Sequence, residues 1–205
     1  MKALSLHYIG LILVIVSILI SGCSGSSEDT DSGVNSDTIV VDKNVNITEK
    51  HDIITTALNE RENKMYSPSE DTTYLYWLNN FPLIIENTSK CNIFALNTLF
   101  KAGYKTPKEN ALSRDLFNDL LFQDFMPIVP ITSLGDIITG DLVVWKTHVI
   151  IFESLVYVKE KPYALGIWAG TSQKDNGKNI INNVNYSKYP LKGEFKVRRP
   201  QKNIQ

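Results

Sequence analysis

The hydrophobic period of this chain changes at Pro127 and Pro130. Upstream, apolar residues recur at helical spacing. "HDIITTALNERENKMY" carries them at 53, 54, 57 and 58, and "NIFALNTLFKAGY" sets Ile93, Leu96 and Phe100 on one stripe that Phe94 and Leu99 widen. "SRDLFNDLLFQDF" repeats the pattern with Leu116, Phe117, Leu120, Leu121 and Phe125, predicting a helix over 113–125 capped by Ser113. Downstream, "GDLVVW", "THVIIFESLVYV", "YALGIWAG" and "GEFKVRRP" are β-branched and aromatic, with "KEKP" as a hairpin connection and Phe195 and Val197 on one face of the final strand. "TYLYWLNNFPLII", broken by Pro82, fits neither period cleanly. Helices followed by antiparallel strands predict an α+β domain, with the helices packed on one side of a small sheet.

The region before residue 51 is not core material. Lys2 precedes the apolar run "LSLHYIGLILVIVSILI", and small residues lead directly into Cys23. This is the layout of a secretory signal with a processing site over 1–22. "LISGC" resembles the bacterial lipoprotein signal, which implies that Cys23 becomes the lipidated first residue. A single transmembrane anchor is the alternative, because the run is nearly long enough to span. Either places the body outside the cytoplasm, tethered to a membrane. Residues 23–50, rich in Ser, Asp, Asn, Gly and Thr, form a flexible tether after the lipidated cysteine. Residues 51–205 then make one domain, long enough for a proper core.

A formal net charge of −1 leaves no basic footprint for nucleic acid. No His or Cys pair has metal-ligand spacing, so neither a metal nor another cofactor is predicted. The chain has two cysteines and three histidines. With Cys23 lipidated, Cys91 has no intramolecular partner in an oxidising compartment, which leaves a buried inert thiol or one kept for its reactivity. Outside the signal only His51 and His148 remain, and His51 fits a solvated surface role. Cys91 opens the clearest helix. Ser89 or Thr88 can cap its start, and Gly103 and Pro107 suit its end. A thiol among unpaired helix N–H groups is acidified, and those groups can hold an oxyanion. His148 opens the apolar strand "HVIIF" and is the residue type suited to be its base.

The ordered pieces "KCNIFALNTLFKAGY", "GDLVVW" and "HVIIF" resemble the NlpC-like cell-wall peptidases and the related CHAP amidases. The likeness runs from about residue 90 to 152, and the following hairpin extends it to about 175. It implies a minimal papain-like fold and a cysteine hydrolase of peptidoglycan peptides, with Cys91 as nucleophile and His148 as base. In that group a third polar residue orients the histidine from the next strand. With "KEKP" as the turn, Val158 pairs with Tyr163 and His148 with Gln173, which selects Gln173; Thr171 and Asp175 stay open. The sequence departs from the group where Asn92 and Ile93 follow the cysteine and where Trp168 and Ala169 occupy the strand after the histidine. Acyl transfer on the same scaffold, or a non-catalytic domain that grips wall peptides, are the rival functions. Oligomeric state is left open.

Overall fold

Three helices and ten strands carry the described residues. In chain order they are α1 (Ile47–Asn59), β1 (Thr72–Leu75), β2 (Phe81–Ile84), α2 (Cys91–Lys101), α3 (Ser113–Leu116), β3 (Ile128–Val129), β4 (Leu142–Trp145), β5 (His148–Val158), β6 (Lys161–Ala169), β7 (Ser172–Asp175), β8 (Lys178–Ile181), β9 (Val184–Pro190) and β10 (Lys196–Arg198). The structure is a computed structural model. It describes residues 47–204 apart from 68, 86, 87, 171, 176, 177, 182 and 183, with 47–51, 172–175 and 178–181 described at the level of the backbone. The signal, Cys23 and the tether to residue 46 lie outside the described residues, as does the His51 side chain. Helix α1 begins at Ile47, inside the segment predicted as tether. Among the described residues, no helix is long and apolar enough to cross a membrane.

The structure is mixed helix and sheet, compatible with the predicted α+β class, although the β1–β2 hairpin comes between α1 and α2. Six strands form one antiparallel sheet in the order β3-β10-β4-β5-β6-β9. Strand alternation sends Leu142, Val144, Val149, Ile151, Ile167 and Ala169 toward α1 and α2. It sends Val143, Ile150, Phe152, Ala164 and Trp168 into a second apolar cluster on the opposite side, where Val197 and Phe195 also pack as their spacing predicts. The ambiguous segment around Pro82 is a separate hairpin, β1–β2, turning through Asn79 and Asn80 at positive φ.

Helix α2 is buried almost all round rather than along one stripe. Ile93, Phe94, Leu96 and Leu99 are each within 2% of complete burial, and each such side chain contributes about 1.5–3 kcal/mol on leaving water. Phe100, predicted on the buried stripe, faces solvent instead. Two polar residues inside the helix are accommodated by their partners. Asn97 accepts from the Tyr76 amide at 2.7 Å and donates to the Tyr74 carbonyl at 2.8 Å. Asn92 donates to the Ala111 carbonyl at 2.8 Å. At the far end Gly103 takes φ +81°, the Tyr104 amide donates to the Leu99 carbonyl, and the Gly103 amide donates to Phe100. This is the double bond of a Schellman stop, as the sequence predicts.

Two sequence expectations are overturned. The helix over 113–125 lasts only from Ser113 to Leu116. The guanidinium of Arg198 is fully buried and donates to the carbonyls of Leu116, Asn118 and Met126. Carbonyls turned inward to satisfy a cation cannot continue a helical ladder, so the segment wraps around the guanidinium. Burial, against the nearby charge of Asp119, lowers the Arg198 pKa to about 10.

The second correction is the register of β5 and β6. Val158 pairs with Lys161 rather than Tyr163. Lys159 and Glu160 both take positive φ, 48° and 62°, and make a two-residue turn without the glycine or asparagine that usually marks one. A bulge between Phe152 and Ser154 adds a further slip. Beyond it Ile151 faces Ile167, so the pairing runs three residues away from the predicted one. An odd slip exchanges the faces of the strand.

Candidate active site

Cys91 is the first residue of α2, and Lys90 is its cap position. Neither Thr88 nor Ser89 caps the helix; no side chain does. The first intrahelical bond is from the Phe94 amide to the Lys90 carbonyl, at 2.9 Å. The amides of residues 91 to 93 therefore lie ahead of the helical ladder. Lys90 is fully buried, and its ammonium donates to the carbonyls of Met65, at 2.8 Å, and Glu70, at 2.7 Å. Burial lowers its pKa. It bolts the helix start onto the segment around residues 65–70.

The Cys91 thiol is free and 2% exposed. Burial is the largest single influence on it and pushes its pKa up. Hydrogen bonding to His148 and the charge of that imidazole, with hydrogen bonds from Ser113 and Ser89, more than offset burial and hold it at about 7. The partner at closest hydrogen-bond geometry is Ser113, with its Oγ 3.4 Å from Sγ. Ser113 was predicted as a helix cap, but the Asp115 carboxylate takes the capping role by accepting from the Leu112 amide at 2.9 Å. This leaves the serine hydroxyl for the thiol. Nothing in the sequence signals this pairing of residues 22 positions apart.

His148 is the first residue of β5, directly after the tight β4–β5 turn. Alternation gives it the side of Ile150 and Phe152, and its ring packs there. The Tyr189 ring stacks on it at 5.0 Å and 23°, and Trp168 stands edge-on at 6.5 Å. Cys91 belongs to the apolar cluster on the opposite side, and His148 lowers the pKa of its thiol. The Nε2 atom is buried and has no hydrogen-bond partner among the described residues.

Gln173 does not lie across from His148 on β6. That strand ends at Ala169, and Gln173 belongs to the next hairpin, β7–β8, paired with Ile180. The short turn and the bulge are the physical reason. The side chains of Gln173 and Asp175 lie outside the described residues, as does Thr171. The corrected register brings Trp168, not an odd-numbered polar residue, to the imidazole.

The Asp of "GDLVVW" is structural. Asp141 is 1% exposed and receives Arg199 on both oxygens, at 3.0 and 2.9 Å, together with the Ile138 amide. This two-pronged pair fixes the start of β4. Gly170, just after β6, has φ +80°, and a Cβ there would stand 2.5 Å from Ser89 Oγ and 2.9 Å from Ser89 Cα. Only glycine allows the end of β6 to lie so close to the strand of chain that leads into Cys91. No family model, no curated protein and no solved structure matches this chain.

Proposed function

We propose that this chain is a membrane-anchored cysteine hydrolase with a minimal papain-like domain, of the NlpC and CHAP type, cleaving amide bonds in peptidoglycan peptides. The observation that supports this most is the free Cys91 thiol at the first position of α2, beside amides ahead of the helical ladder and 3.4 Å from Ser113 Oγ, with His148 as the main group lowering its pKa to about 7. Near neutral pH a large share of such a thiol is thiolate, the reactive form. Cys91 attacks the amide carbonyl, and the amides at the start of α2 donate to the developing oxyanion. His148 takes the thiol proton and returns it to the leaving amine. Water then hydrolyses the thioester, with His148 as base. Lipidation at Cys23 and the tether keep the domain at the envelope, within reach of the wall.

The deciding experiment is digestion of purified peptidoglycan fragments by the full chain. Cys91→Ala and His148→Ala are each expected to lose about 10³-fold or more in rate while keeping the wild-type circular dichroism. Wild-type turnover by Cys91→Ala would reject the mechanism. A second function, a domain that grips wall peptides without cutting them, is favoured by the nearly covered sulfur and by a His148 Nε2 without a hydrogen-bond partner among the described residues. Fragment binding by wild type with no cleavage would establish it instead.

A further inference from the structure

The base of a cysteine–histidine pair needs its ring held in one orientation, commonly by a hydrogen bond to its second nitrogen. Among the described residues His148 Nε2 has no hydrogen-bond partner, and no carboxylate forms an ion pair with the ring. It does have a wall of aromatic rings. Tyr189, from β9, stacks nearly parallel on the imidazole. Trp168 meets both rings edge-on, at 6.5 Å from His148 and 5.1 Å from Tyr189. Trp145 supports the far side of Tyr189 at 5.0 Å, and its indole N–H is fixed on the Lys192 carbonyl at 3.0 Å.

We propose that Tyr189 is a positioning residue of the candidate site: its stacked ring orients His148 and stabilises the imidazolium. This rests on the Cys91–His148 chemistry proposed above. An aromatic face attracts a cation, more strongly when the pair is removed from water. The stack therefore favours the thiolate–imidazolium form over the neutral pair. Tyr189 also feels the sulfur directly, since burial and then the Cys91 charge raise its pKa.

Other polar groups around the pair are already engaged or bear on the thiol alone. Lys90 turns its ammonium to the carbonyls of Met65 and Glu70. From α3 Ser113 meets the thiol and Asp115 holds the Leu112 amide. Ser89 lies on the thiol side. Lys146, in the turn before β5, lies over the Phe117 ring at 5.6 Å.

The test is the pH dependence of Cys91 alkylation by iodoacetamide in the full chain, read by mass spectrometry of the Cys91 peptide. Tyr189→Phe keeps the ring and should titrate close to wild type. Tyr189→Leu should move the midpoint up by roughly one pH unit. If Tyr189→Leu folds poorly by circular dichroism, Tyr189→Met provides the same comparison. A midpoint unchanged in the leucine or methionine variant would overturn the inference. So would a shift in Tyr189→Phe as large as in Tyr189→Leu, because the hydroxyl rather than the ring face would then be responsible. A wild-type thiol that resists alkylation throughout, or titrates as an ordinary cysteine at about 8.5, would instead reject the proposed function, and this inference with it.

Discussion

The two halves of the candidate pair are held by different physics. On the Cys91 side the fixings are directional: Lys90 on two carbonyls, Asn92 on the Ala111 carbonyl, Ser113 on the sulfur. On the His148 side the fixings are rings: Tyr189, Trp168, Trp145 and, behind them, Phe195 at 5.5 Å from Trp145. Hydrogen bonds buried from water punish the loss of one partner, because the other is left unsatisfied. Ring packing tolerates a change of chemistry as long as volume and face survive. The nucleophile side should thus be brittle and the base side forgiving.

The largest test of that contrast is Lys90→Met. The chain length is kept, but the carbonyls of Met65 and Glu70 lose a charged donor, for a loss of about 3 kcal/mol. In a domain of this size, that lowers the melting temperature by roughly 6–12 °C. An unchanged melting temperature would show that the polar anchoring is dispensable. Next comes Gly170→Ala, where the two sides touch. The added Cβ meets Ser89 and the backbone is left-handed, so about 2 kcal/mol should be lost, visible as a fall of roughly 4–8 °C. Ser113→Ala should leave folding nearly intact but deprive the thiolate of a hydrogen bond. Its pKa then rises from about 7 by roughly half a unit to one unit, slowing alkylation at neutral pH several-fold. The smallest effect belongs to the aromatic side: Phe195→Leu should cost under about 1 kcal/mol and leave the thiol midpoint where it was. A larger shift in Phe195→Leu than in Ser113→Ala would reverse the comparison.

Much of this architecture was legible in the chain. The change of period at the prolines, the stop at Gly103, the strand opened by His148 and the helix opened by Cys91 all follow from local pattern. What was not legible depended on residues far away or on backbone states that the side chains do not advertise. The helical spacing over 113–125 is real, yet a guanidinium 82 residues beyond Leu116 claims the carbonyls that a helix would need. Lys159 and Glu160 look like members of a longer loop, and only their left-handed conformation reveals a two-residue turn. That turn and the bulge undo the predicted pairing of His148 with Gln173. Tyr189 drew no attention because nothing in "VNYSKYP" ties it to a histidine on β5. Chemistry at the ends of elements was readable; chemistry made by closing the sheet was not.

The guanidinium of Arg198 also has a consequence for the order of events during folding. The segment 116–126 that it organises is separated from it by 72 to 82 residues. Closing so long a loop is slow, and no local contact rewards it beforehand. Until β10 docks, the carbonyls of Leu116, Asn118 and Met126 have no cation to gather around, and α3 has no fixed lower end. Ser113 then has no fixed place against the sulfur. Part of the tuning of the thiol is therefore late, after the sheet has closed, and an incompletely folded chain would carry a less acidic cysteine. Reactivity at Cys91 becomes a report that β10 is in place.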